Sequence, residues 1–196
     1  MNWTDDNKFF PAESDEERQQ ARAKYGILEG ETILISVGGC IETKNQIDII
    51  KALPLILEKH PLVRYFLLGD GALRPKYQAM AEELGLAEKI VFVGNTTEVR
   101  HYLIASDIYV MPSKYEGLSI SLLEACYCGL SSVIYDNWGL KDLVIHQKTG
   151  LIVPNNYIKL AEAIIKLTDN PQMRKSMGMN AREFVMENYE IKKIYS

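Results

Sequence analysis

The sequence is short of cysteine, of long apolar runs and of positive charge, and each shortage removes a class of protein. Its three cysteines (Cys40, Cys126, Cys128) are odd in number and lack zinc-site spacing. That pattern excludes a disulfide framework and predicts small buried core residues. No apolar run approaches the ~20 residues of a membrane span, and MNWTDDNKFF does not read as a secretion signal. A soluble, cytoplasmic chain is the expectation. A net charge of −4 and a pI near 5.5 argue against a general nucleic-acid binder. They leave room for one small anion held by local amides and a single lysine. His60, His101 and His146 show no metal-ligand spacing, and neither GxxxxGK[ST] nor GxGxxG occurs. What is present is ordinary globular material: 47% hydrophobic and 24% charged residues in a 196-residue chain. A chain of that size buries about 70% of its unfolded surface.

Apolar runs and helical stretches alternate. Residues 2–13 read as a linker, and Ser14 with Glu17 forms a capping box for a helix ending near Gly26. Strands are predicted at Thr32–Val37, Val63–Leu68, Lys89–Val93, Ile108–Met111, Ser132–Tyr135 and Gly150–Val153. Between and after them run helices from about Asn45 to Lys59, after GDG to Leu84, and over 98–105, 119–127, 157–168 and 171–188. This predicts an α/β fold, a Rossmann-like parallel sheet with helices on both faces. Such a sheet binds ligands beyond the carboxyl ends of its strands. The loops after Val37, Leu68, Val93, Met111 and Tyr135 therefore become the candidate site.

In the first loop, SVGGCIETKNQ, Gly38 and Gly39 allow close backbone approach and Lys44 precedes the helix. A phosphate subsite and a tight turn beside a solvated lysine both fit. The fourth loop is more specific. In KYEGLSISLLEACYCG, Glu116 and Glu124 stand eight apart, with Gly117, Leu118 and Ser119 offering amides at a helix start. Amides between two carboxylates suit an anion flanked by hydroxyl-bearing rings. The spacing fits equally a capped helix with an exposed Glu116 and a satisfied Glu124.

EGLSISLLEA followed by CYCGL resembles the E-x7-E signature of retaining glycosyltransferases of family 4. NWTDDNKFFP, VGG…TKNQ, FLLGDG, IVFVGNT, SDIYVMPSKYEG and KTGLIVP resemble the surrounding segments in the same order. The resemblance covers nearly the whole chain. It implies one half of a GT-B fold: residues 1–30 as interdomain linker and leading helix, 31–196 as the nucleotide-sugar-binding domain, and no acceptor-binding domain. It further implies that Glu124 holds ribose hydroxyls and that Glu116, with Lys44 as the second catalytic residue, lies near the sugar and its leaving end. Gly117, Leu118, Ser119 and Ile120 would contact sugar and diphosphate, with Gly38, Gly39 and Lys44 at the diphosphate. Gly94, Asn95 and Thr96 would face the base. Gly39 stands where the family commonly has arginine, which removes a bidentate phosphate contact. Ser119 and Ser121 replace the more usual glycine and apolar residue.

The function so implied is transfer of a glycosyl group from a nucleoside diphosphate sugar to an acceptor hydroxyl, with configuration retained, in cell-surface glycan or glycolipid synthesis. No Asp-x-Asp pair stands in a donor loop, so no metal or cofactor is expected, and Lys44 with the helix amides would take a divalent ion's place. The expected partners are the sugar nucleotide and an N-terminal acceptor domain, through which alone the enzyme would touch the inner face of a membrane. A hexosyltransferase deprived of that domain is expected to be inactive. Two other readings are a non-catalytic sugar-nucleotide-binding module and a GT-B epimerase acting on sugar nucleotides.

Overall fold

A computed structural model of the chain describes residues 8–189, so the linker expected over residues 2–13 falls outside the described residues as far as residue 7. Along the chain run α1 (Asp15–Lys24), β1 (Thr32–Val37), α2 (Ile47–Lys59), β2 (Val63–Leu68), α3 (Arg74–Glu83) and β3 (Ile90–Gly94). They are followed by α4 (Val99–Ala105), β4 (Ile108–Met111), α5 (Ile120–Tyr127), β5 (Ser131–Tyr135), β6 (Gly150–Val153), α6 (Tyr157–Asp169) and α7 (Pro171–Asn188). Every strand and helix expected from the sequence is present within two residues of its expected ends. The largest shift is at α2, which begins at Ile47 because Asn45 has φ 52° and cannot join a right-handed helix. Ser14 caps α1 by accepting from the Glu17 amide at 3.1 Å. The Glu17 carboxylate completes the cap one residue further back, on the Glu13 amide, and also takes the Arg100 guanidinium at 2.8 Å.

The six strands form one sheet in the order β3-β2-β1-β4-β5-β6, and each neighbouring pair is parallel. Each face carries its own core. Ile33, Ile35, Phe66, Tyr109 and Ile134 pack against α1, α4, α5 and the later part of α7. The alternate residues, Leu34, Tyr65, Leu67, Val110 and Val133, pack against α2, α3 and α6. This alternation buries both faces, which is why the strands read as continuous apolar runs. Phe9 joins the first core, and Arg100 stacks on the Phe10 ring at 3.7 Å, so residues 9–11 lie against α4. All three cysteines are buried free thiols, and burial pushes Cys126 and Cys128 up to about 12. Among the described residues no helix is long and apolar enough to cross a membrane.

Candidate active site

The chain reverses direction across the sheet between β1 and β4, and parallel pairing brings the ends of both strands to one edge. Three hydrogen bonds join the loop after β1 to the loop after β4 there. Lys44 Nζ donates to Glu116 Oε1 at 2.6 Å, Asn45 Nδ2 donates to the Pro112 carbonyl at 3.2 Å, and the Lys114 amide donates to the Thr43 carbonyl at 2.8 Å. Lys44 is therefore neither solvated nor free. Its stem crosses Gly38, where an added Cβ would lie 3.3 Å from the lysine Cε. Gln46 is 2% exposed and ties the same loop, donating from Nε2 to the Gly38 carbonyl at 3.2 Å and the Gly39 carbonyl at 3.0 Å.

The loop after β5 supports Glu116 from the other side. Gly139 has φ +83°, and a Cβ there would stand 2.0 Å from the Glu116 carbonyl oxygen, so two backbones touch. Asn137 adds a bond from Nδ2 to the Ser113 carbonyl at 2.6 Å. Neither Gln46 nor Gly139 stood out from the sequence. The only available sign was an Asn-Gln pair ahead of a helix and a Trp-Gly pair in a loop.

Helix α5 begins without a side-chain cap, because Ser119 turns its hydroxyl to the Met111 sulfur at 3.3 Å. Among the described residues, no acceptor takes the amides of Gly117, Leu118, Ser119 or Ile120. An uncapped helix start favours negative charge in front of it. One turn further on, Glu124 is half-buried and has no hydrogen-bond or ion-pair partner among the described residues. Burial pushes it up to about 7, opposed only by Lys8. The reading of Glu124 as a satisfied buried carboxylate does not describe it. Burial also raises the Tyr109 phenol; its hydroxyl bonds Ser121, and Glu124 and Glu116 both add to the rise, so both carboxylates act on one place.

The loop after β3 reaches the same edge through the Gly69 amide, which donates to the Gly94 carbonyl at 2.8 Å. Gly69 itself (φ +120°) lies so close to the Gly38 carbonyl that a Cβ would fall 2.3 Å from it. Asn95 is exposed, and Thr96 accepts from the Glu98 amide at 3.1 Å. No bond joins residues 94–96 to Lys44 or Glu116 among the described residues.

Residues 17–184 match the family model for glycosyl transferases group 1. The chain belongs to that family. The putative glycosyltransferase EpsD of Bacillus subtilis is 27% identical over 91% of this chain and 47% of its own length. S. aureus TarM, solved as a mutant with fondaparinux, alpha-GlcNAc-glycerol and UDP, is 27% identical with a TM-score of 0.81, over 84% of this chain and 34% of that one. Anabaena HepE, solved with UDP and glucose, is 22% identical with a TM-score of 0.89, over 98% of this chain and 53% of that one, and speaks for the fold alone. The chain has the Rossmann-like architecture of one half of a GT-B fold. It spans about half the length of the curated relatives it matches.

Proposed function

We propose that the chain is the donor-binding half of a retaining, family 4 glycosyltransferase that takes a nucleoside diphosphate sugar. One observation carries this reading: Lys44 and Glu116 meet at the switch point, directly before the uncapped start of α5. Diphosphate placed there draws on the Lys44 ammonium and the amides of Gly117, Leu118, Ser119 and Ile120, beside Gly38 and Gly39. Glu124 accepts from the ribose hydroxyls, a use for a carboxylate without a partner among the described residues. Gly94, Asn95 and Thr96 take the base side. UDP in the TarM complex supports a nucleotide ligand.

In the transfer, the bond between the anomeric carbon and the diphosphate oxygen breaks, a new bond forms to the acceptor oxygen on the same face, and the acceptor hydroxyl's proton passes to the departing diphosphate. The electron pair leaves with the diphosphate, and Lys44 with the α5 amides stabilises that charge. Lys44 is held before the reaction by Glu116, so little reorganisation is needed when the charge arrives. Glu116 lies at the sugar's leaving end. Gly39, without a guanidinium, favours the second reading, a module that binds the nucleotide and catalyses nothing. Synthesis of a surface glycan or glycolipid, next to an acceptor domain, is the setting proposed for the first.

A thermal-shift screen of uridine, guanosine and adenosine diphosphates tests the site. A ligand at 100 times its Kd adds about 2.7 kcal/mol, or roughly 5–10 °C in Tm at this size. No shift with any of them at millimolar concentration overturns the donor-site reading. Labelled sugar nucleotide with an acceptor panel tests the division of labour. These residues alone are expected to bind donor, hydrolyse it at most slowly and transfer no sugar, since orienting the acceptor supplies about 7–11 kcal/mol of barrier lowering. Efficient transfer by this chain contradicts that division, and an epimerised sugar formed without any acceptor favours an epimerase.

A further inference from the structure

At the strand edge opposite Lys44 and Glu116, a cavity of about 350 Å³ lies between α1, the turn before β4, the start of β5 and the first turn of α7. Three guanidinium groups converge there on one carboxylate. Arg18 Nη2 donates to Asp107 Oδ1 at 2.8 Å, Arg22 Nη1 to Asp107 Oδ2 at 3.2 Å, and Arg174 Nη2 stands 3.8 Å from Oδ1. The Ile33 amide also donates to Asp107, at 2.8 Å, so this carboxylate is already crowded with donors. Lys175 joins Arg18 and Arg174 as a third cation on the cavity wall, with Arg22 behind it, and the exposed Asp15 is the second acid on that wall.

The balance is positive by two among these groups, and the structure registers it at Arg18. Desolvation lowers the Arg18 pKa and Asp107 raises it, while Arg22 and Arg174 lower it further. Arg174 uses Nη1 on the Leu167 carbonyl at 3.0 Å; its Nε and Nη2 make no hydrogen bond among the described residues. Ser131, also in the wall and 1% exposed, has a buried hydroxyl without a partner. The unused guanidinium edges of Arg174 offer charged donors to an anion with several oxygens.

We propose that this cavity is a second anion site, separate from the donor site, that takes a phosphoryl group. Arg174 and Lys175 face its charge. The volume admits inorganic phosphate or the phosphoryl end of a small phosphomonoester. The proposal does not depend on the donor-site reading, because no residue is shared between the two places.

The test is a titration of the isotope-labelled chain with sodium phosphate, and separately with glucose 1-phosphate, followed by amide NMR at constant ionic strength. Saturable shifts at Ser131, Arg174 and Lys175 are expected in the wild type and, undiminished, in Lys44→Ala. Lys175→Glu, a change at an exposed position, is expected to weaken them about tenfold or more. Arg174→Gln provides a second variant, with its own spectrum as the check on folding. Tighter binding of glucose 1-phosphate identifies a monoester as the ligand class, and tighter inorganic phosphate identifies the free anion. Shifts confined to the Lys44 loop, or shifts at Ser131 that Lys175→Glu leaves unchanged, overturn the proposal.

Discussion

Lys44 Nζ lies 2.6 Å from Glu116 Oε1, an ion pair that closes the β1 and β4 loops over the switch point of the sheet. Their side chains are 22% and 12% exposed, so the pair is largely withdrawn from solvent screening. The ammonium is therefore both a loop latch and, in the proposed function, a phosphate ligand.

Lys44→Ala separates those two roles. Diphosphate binding is expected to weaken by about 1.5–3 kcal/mol, the worth of a charged hydrogen bond. The bare nucleoside should bind nearly as before. Unfolding in urea should also show a loss of about 1–3 kcal/mol, because Glu116 keeps a desolvated, unpaired carboxylate. Equal loss of nucleoside and diphosphate affinity in calorimetry would mean that Lys44 acts on the loop alone.

Glu124 has a pH signature. Its folded pKa is raised from 4.5 to about 7 by burial. The charged form is thus disfavoured in the folded state, and this group's contribution to stability is complete below about pH 4.5 and lost as the pH rises through 7. Glu124→Gln should be more stable than the parent at pH 8 by on the order of 2 kcal/mol, discounted for partial exposure, and equal to it at pH 4. If the ribose hydroxyls donate to the ionised carboxylate, nucleotide affinity rises with pH through 7 in the parent and not in the variant. Glu124→Ala should bind nucleotide more weakly than Glu124→Gln. A glutamine variant no more stable at pH 8 refutes the assignment of cost to the buried charge.

Gly139→Ala should disturb the site from a distance along the chain. The residue has φ +83°, and its Cβ would stand 2.0 Å from the Glu116 carbonyl oxygen and 2.5 Å from that of Gly117. Either the β5 loop or the Glu116 loop must move. A stability loss of about 2–4 kcal/mol and a weaker diphosphate complex are expected. Trp138→Ala, at a neighbouring side chain 82% exposed, should change stability little. Matching unfolding curves for the two variants would show that the backbone contact constrains nothing.

Gly39→Arg offers a gain. A Cβ at this position would lie 3.2 Å from the Asp70 carbonyl oxygen, a contact relieved by a shift of a few tenths of an ångström. A guanidinium there can add charged bonds to a diphosphate, and an affinity gain of about tenfold is expected. Gly39→Ala reports the steric cost alone. If the arginine variant binds diphosphate no better than the alanine variant, this loop does not face the phosphates.

The element order was legible from the sequence because it depends on local chemistry. Short runs such as TILISV, bounded by glycine and polar turns, fit strands buried on both faces, and Ser14 with Glu17 marks a helix start wherever the chain places it. The order of α and β segments then fixed a parallel sheet and pointed to its strand ends. Which side chains meet at those ends was decided by the register alone. Lys44 and Glu116 are 72 positions apart, and they pair because β1 and β4 lie side by side at the reversal. The same adjacency sets Asn45 on the Pro112 carbonyl, and the β5 loop presses Gly139 onto Glu116. Glu116 and Glu124 are the same residue type in one motif, yet one is neutralised by a lysine and the other has no partner among the described residues. Burial and through-space charge made that difference, and neither quantity exists until the chain has folded.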